Sequence, residues 1–186
     1  QNVQNSRNDI FNYNSNAEMQ SHSSSEELKN YKKMVTIFYE KILGINVASL
    51  DKEKYATSAL ATINKIEKAE SLDYQMLLTK TLFESFRCEY NFSYKSFKQA
   101  FDIVGKNKKS INSFFESLPP RITIEIVLKL LVRVGELNEI SDVIVYLKEL
   151  FKKAILVDKE FQANTYQKIW YSDLQKEGKK KVAEVT

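Results

Sequence analysis

The chain of 186 residues has one histidine, one cysteine, two prolines and four glycines. The lone histidine, His22, sits in a polar N-terminal stretch. A folded body without histidine forms no Ser-His-Asp triad, no Cys-His dyad and no histidine-built metal site. The lone cysteine, Cys88, excludes an intrachain disulfide, so the fold must hold without a cross-link. The isolated glycines form neither a G-x-G-x-x-G nor a Walker A loop, so no phosphate-cradling turn is expected. No metal and no cofactor is expected.

Long apolar runs are also missing. A bilayer-spanning helix needs roughly 20 mostly apolar residues. The best stretch, Ile122 to Val134, is broken by Thr123, Glu125, Lys129 and Arg133. Arginine is scarce as well: only Arg7, Arg87, Arg121 and Arg133 among 28 basic residues. Nucleic-acid binders favour arginine and concentrate their charge. Here lysine and glutamate interleave, as in Lys52-Glu53-Lys54, and the net charge is only +4. That pattern reads as a solvated surface, and no nucleic-acid partner is expected.

What remains is rich in Leu, Lys and Glu, which favour long helices with short joints. The expected fold is all-α, a single compact bundle of about seven to eight helices. Residues 25–178 form that domain. Residues 1–24, with six Asn and five Ser, are too polar to repay ordering and read as a disordered tether. Residues 179–186 read as a flexible basic tail.

Ser24 and Glu27 have capping-box spacing, and Leu28, Tyr31, Val35, Phe38 and Ile42 follow as one stripe. Asp51 is expected to start a second helix with Tyr55, Ala59, Ile63, Ile66 and Ala69 inward. Ser71 is the expected next cap, before a broad apolar face from Leu72 to Tyr90. Ser93 is expected to open a fourth helix, closed by Gly105, and a short one starts at Ser110. Pro119-Pro120 stops it, because a residue before proline avoids the helical region. Arg121 to Val134 begins with strand-like alternation. A lone strand would leave its backbone unpaired, so a buried central helix capped by Thr123 and ended by Gly135 is preferred. Asn138 and Asp158 are the expected caps of two further helices. The last carries Phe161, Thr165, Ile169, Trp170 and Leu174.

Candidate chemistry is sparse. Glu84, Glu89 and Glu125 fall on expected outer helical faces, Glu125 between two isoleucines. A surface or paired carboxylate is the plain reading, and acid–base catalysis the alternative. Cys88 is either a small half-buried filler or a reactive thiol activated by Arg87. Lys106, Lys108 and Lys109 form a basic loop that reads as solvated or as a patch for acidic partners. Trp170 reads as core. Tyr171 is the candidate exposed aromatic of an interface.

The polar segment from Gln1-Asn2-Val3-Gln4-Asn5 through Asn16 precedes Lys-rich helices such as Val145-Tyr146-Leu147-Lys148-Glu149-Leu150-Phe151-Lys152-Lys153. This combination resembles the plasmid-encoded helical outer surface lipoproteins of Lyme-disease Borrelia, in the complement-regulator-acquiring and P35-antigen-like families. The resemblance is one of style across the whole chain and rests on no diagnostic motif, so no binding residue is carried over. It implies a surface-displayed, non-enzymatic module that binds host or vector molecules. It further implies localisation at the outer membrane through a lipid anchor lying outside this fragment. Three alternatives stand beside it: a soluble helical regulator or effector docking on a partner protein, a small-thiol-binding protein using Cys88, and an unrecognised enzyme using carboxylates.

Overall fold

A computed structural model describes residues 13–44, 48–137 and 142–157. These residues form seven helices: α1 (Tyr13–Ile42), α2 (Ser49–Ala69), α3 (Tyr74–Phe86), α4 (Tyr90–Val104), α5 (Lys109–Glu116), α6 (Pro120–Leu137) and α7 (Asp142–Val157). The fold is all-α, as the scarcity of breakers implies, and the helices share one buried core. The expected helix from Asp158, with Phe161, Thr165, Ile169, Trp170 and Leu174, lies outside the described residues. So do Asn138, residues 1–12 of the expected tether, and the expected basic tail.

Neighbours in sequence pack as neighbours in space. Helix α1 lies on α2, α2 on α3, α3 on α4, and α6 on both α4 and α7. Helix α1 already begins at Tyr13, so it runs into the stretch expected as tether. Ser24 and Glu27 therefore fall inside a helix and do not start one. Adding turns to a formed helix is far easier than nucleating one, so a packed stripe propagates into polar sequence.

Helix α6 settles the ambiguous segment in favour of a helix. Ten of its residues are buried, spread around much of its circumference. Pro120 stands at its first position, where a missing N–H matters least. Thr123 is not its cap. The hydroxyl is buried and donates to the Phe115 carbonyl, 3.1 Å away at the end of α5. Gly135 lies inside α6 and is buried there.

Other boundaries shift by two or three residues. Helix α2 starts at Ser49, and Asp51 falls in its first turn. Asp73, not Ser71, caps α3: its Oδ1 accepts from the Met76 amide at 2.8 Å. Helix α4 starts at Tyr90, not Ser93. Ser93 is fully buried and donates to the Thr81 carbonyl of α3 at 3.0 Å. Ala69, expected inward, is exposed at the end of α2. The fully buried Phe97 of α4 stands 5.9 Å from Phe101, 6.2 Å from Phe115 and 6.4 Å from Tyr146 between ring centres. This aromatic group joins α4, α5 and α7. Burying one such ring contributes about 1.5–3 kcal/mol.

The turn between α3 and α4 is unusually tight. Cys88 adopts φ +59°, a left-handed conformation. The Glu89 amide donates to the Glu84 carbonyl at 2.9 Å, and the Cys88 amide to the Ser85 carbonyl at 3.0 Å. This is a Schellman end with cysteine where glycine or asparagine usually stands. A side chain there strains the backbone by about 1–2 kcal/mol. Cys88→Gly is expected to raise unfolding stability by about 1 kcal/mol, and Cys88→Val to lower it by at least about as much. Urea denaturation of the three proteins checks both directions.

Candidate functional site

Two surface features and one buried carboxylate emerge from the packing. The first feature is the turn between α4 and α5. Gly105 ends α4 with φ +63°, and a basic loop follows. Lys106 and Lys109 are exposed. Lys108 is placed differently. Half-buried, it donates from its ammonium to the Phe101 carbonyl at 2.9 Å and to the Gly105 carbonyl. It also lies over the Phe101 ring, 3.4 Å from the centroid. Burial lowers its pKa from the ordinary lysine value, and the Asp102 and Asp142 carboxylates oppose that shift. A cation at a helix C-terminus meets unpaired carbonyls and the negative end of the dipole. Lys108 therefore holds the turn, and Lys106 and Lys109 present its charge. Tyr171 lies outside the described residues.

The second feature is a cavity of about 670 Å³ between α1, α3 and α5. Tyr39 of α1, Tyr74 of α3 and Phe114 of α5 line it, together with Asp73 and several serines and threonines. The Tyr39 and Phe114 rings stand 6.1 Å apart, tilted by 49°. Burial raises the Tyr39 phenol above its ordinary pKa, and a hydrogen bond with Ser117 partly offsets this. Sequence reasoning missed this cavity. Its walls come from three separate segments, none of which carries a motif.

The buried carboxylate is Glu84, which was expected on an outer face. It is only 5% exposed. Helix α3 is flanked by α2, α4 and α6, so the face left over by one partner is covered by another. Ser96 of α4 donates to Glu84 Oε1 at 2.7 Å. Nearby, Lys129 of α6 donates to the Ser85 carbonyl at 3.0 Å. With Thr81 and Ser93, these groups form a polar seam through the core. Burial raises the Glu84 pKa to about 7, against smaller lowering effects of the Ser96 bond and the Lys80 charge.

Glu125 and Glu89 follow the plain reading. Glu125 pairs with Lys129 at 3.5 Å, and Glu89 with Arg87 at 3.1 Å. Arg87 also donates to Thr57 of α2 at 2.5 Å. Its guanidinium is thus engaged by oxygen partners on both sides. Cys88 is exposed, not half-buried filler, and its thiol contacts the phenol of Tyr90. Among the described residues, no group of three His, Cys, Asp or Glu side chains is placed to hold a metal ion, and no helix is long and apolar enough to cross a membrane.

The arrangement thus offers two surfaces of opposite chemistry: an exposed basic turn and an aromatic cavity with one carboxylate. Comparison of the chain with protein-family models, curated proteins and solved structures returns no match.

Two outcomes follow from these placements. Glu84 has a higher pKa in the folded state than the ordinary 4.5, so the folded protein binds an extra proton between the two values. Its favourable contribution is full below about pH 4.5 and is lost as pH rises through about 7. Glu84→Gln keeps an oxygen for Ser96 and removes the titration. It should stabilise the protein at pH 8 by on the order of 2 kcal/mol and change little at pH 4. Urea melts at the two pH values read this difference. Separately, Lys108→Met leaves two helix-end carbonyls without their cation. It should cost about 1–2 kcal/mol, seen as a lower melting temperature.

Proposed function

We propose that this chain is a surface-displayed, non-enzymatic interaction module that binds a host or vector protein. The reading rests on the likeness in style to helical spirochaete surface lipoproteins. The observation that carries it furthest is the pinned basic turn. Lys108 fixes the backbone between α4 and α5 through two carbonyls, while Lys106 and Lys109 remain exposed beside it. A charged group on an already ordered turn loses little further freedom on binding, so more of its attraction appears as affinity. Two lysines also steer an acidic partner toward the surface, with a salt dependence that follows from screening. In this reading the chain is displayed at the outer membrane through a lipid anchor outside the fragment.

The test is capture from host and vector extracts by the purified protein, repeated with Lys106→Glu/Lys109→Glu. The variant should lose most of the captured partner, and capture by the unmodified protein should weaken about several-fold between low and physiological salt. Capture that ignores both charge reversal and salt contradicts the role given to the turn. Substrate turnover by the purified protein, abolished by Glu84→Gln or Glu125→Gln without loss of fold, contradicts the non-enzymatic reading.

A further inference from the structure

We infer that the cavity between α1, α3 and α5 is a binding site for a small organic ammonium ion bearing an aromatic ring. Three features of its lining agree on this chemistry, and none depends on the basic turn.

The first is charge. Asp73 is the one ionised side chain in the lining, and no lysine or arginine contributes to it. Its Oδ1 is committed to the Met76 amide. Among the described residues no donor reaches the second carboxylate oxygen, which stays available. The N-terminus of α3 opens at the same place, and free helix amides attract anions. Asp73 already takes that position as the cap, which turns an anion site into an acceptor site.

The second feature is the polarity of the hydroxyls. A hydroxyl has one proton to give and two lone pairs to receive. Thr36 spends its proton on the Lys32 carbonyl at 3.2 Å, and Thr79 on the Gln75 carbonyl at 2.9 Å. Each then offers only lone pairs to a ligand. Ser117 donates to the Phe114 carbonyl at 2.6 Å and is also bonded to the Tyr39 phenol. An ammonium group carries donors and no acceptor, so it matches the two threonine oxygens and the carboxylate. An anion meets repulsion from these three groups and has the Ser110 and Ser113 hydroxyls and the Gln75 amide to turn to.

The third feature is the aromatic wall. Tyr39, Tyr74 and Phe114 supply π faces, which attract a cation and also accept a ring by stacking or edge contact. The volume of about 670 Å³ falls within the range of small-molecule sites. A bare inorganic cation would leave most of that volume and all of the apolar area unused. A ring joined to an ammonium group by a short chain uses both.

This inference goes beyond the binding of a protein partner at the basic turn, because the two surfaces select ligands of opposite charge. The test uses calorimetric titration of the full chain at neutral pH with 2-phenylethylammonium chloride. Its neutral analogue 2-phenylethanol and the anion 3-phenylpropionate serve as controls of similar shape. The ammonium ion should bind at least about tenfold more tightly than the alcohol, and the anion should bind more weakly still. Asp73→Asn retains an oxygen able to cap α3, so the fold should persist while the charge is lost. It should weaken ammonium binding about tenfold or more with little change in melting temperature. Thr36→Val, at an exposed helical position, removes one acceptor and should weaken binding a few-fold. It provides a readout if Asp73→Asn unfolds. Equal affinity for the ammonium ion and the alcohol would overturn the assignment. So would an unchanged affinity in a folded Asp73→Asn protein, or no binding of the ammonium ion up to about 10 mM.

Discussion

The left-handed turn at Cys88 is the constraint on which the rest of the body depends. Two amides, those of Cys88 and Glu89, close onto the last turn of α3 and reverse the chain within three residues. Helix α4 therefore starts close against α3. Only that closeness lets the short side chains of Ser93 and Ser96 bond to the backbone and carboxylate of the neighbouring helix. Helix α6 then joins the pair from the other side, with Lys129 reaching the Ser85 carbonyl at the end of α3. A misplaced turn would leave Glu84, Ser93 and Ser96 buried without these partners, and unpaired buried polar groups are costly.

The same hairpin places both candidate surfaces. The start of α3 and the end of α4 lie together at the end remote from Cys88, where Leu72 and Leu77 share a groove with Asp102 and Ile103. Asp73 looks into the aromatic cavity from one of these helix ends. The other leads through Gly105 into the turn pinned by Lys108. Helix α5 begins in that turn with Lys109 and carries Phe114 to the cavity, with Ser117 just past its end. One short stretch of chain thus separates the aromatic cavity from the basic turn.

Much of the fold was legible in the sequence, because apolar stripes at helical spacing depend only on local pattern. The buried residues of α4 and α7 recur at helical spacing, as Phe97 and Phe101 or Val143, Leu147 and Phe151 do, and α6 is helical despite the alternation Ile122-Thr123-Ile124-Glu125-Ile126. The helix starts were less legible. Ser93 and Thr123 have the chemistry of caps, but their hydroxyls serve carbonyls of neighbouring elements instead. A sequence reading sees the side chain and not the competing partner. Cys88 gave no sign of a left-handed conformation, since glycine or asparagine is the usual signal for one. Glu84 was misassigned for a related reason. Its helical face points away from one neighbour and directly at another, and helical periodicity does not count neighbours. The cavity was invisible because its lining is spread from Val35 to Ser117.

Amide hydrogen exchange at Cys88 and Glu89 tests the central claim most directly. An exposed turn residue ordinarily exchanges within seconds, unless its hydrogen bond breaks only when the protein unfolds. If the α3–α4 turn organises the body, these two amides should be as protected as those in the middle of α3 and should exchange only with global unfolding. Fast exchange at Cys88 and Glu89 alongside a slowly exchanging α3 would contradict the account. It would show that the helices pack without the turn and that the turn merely follows from their packing.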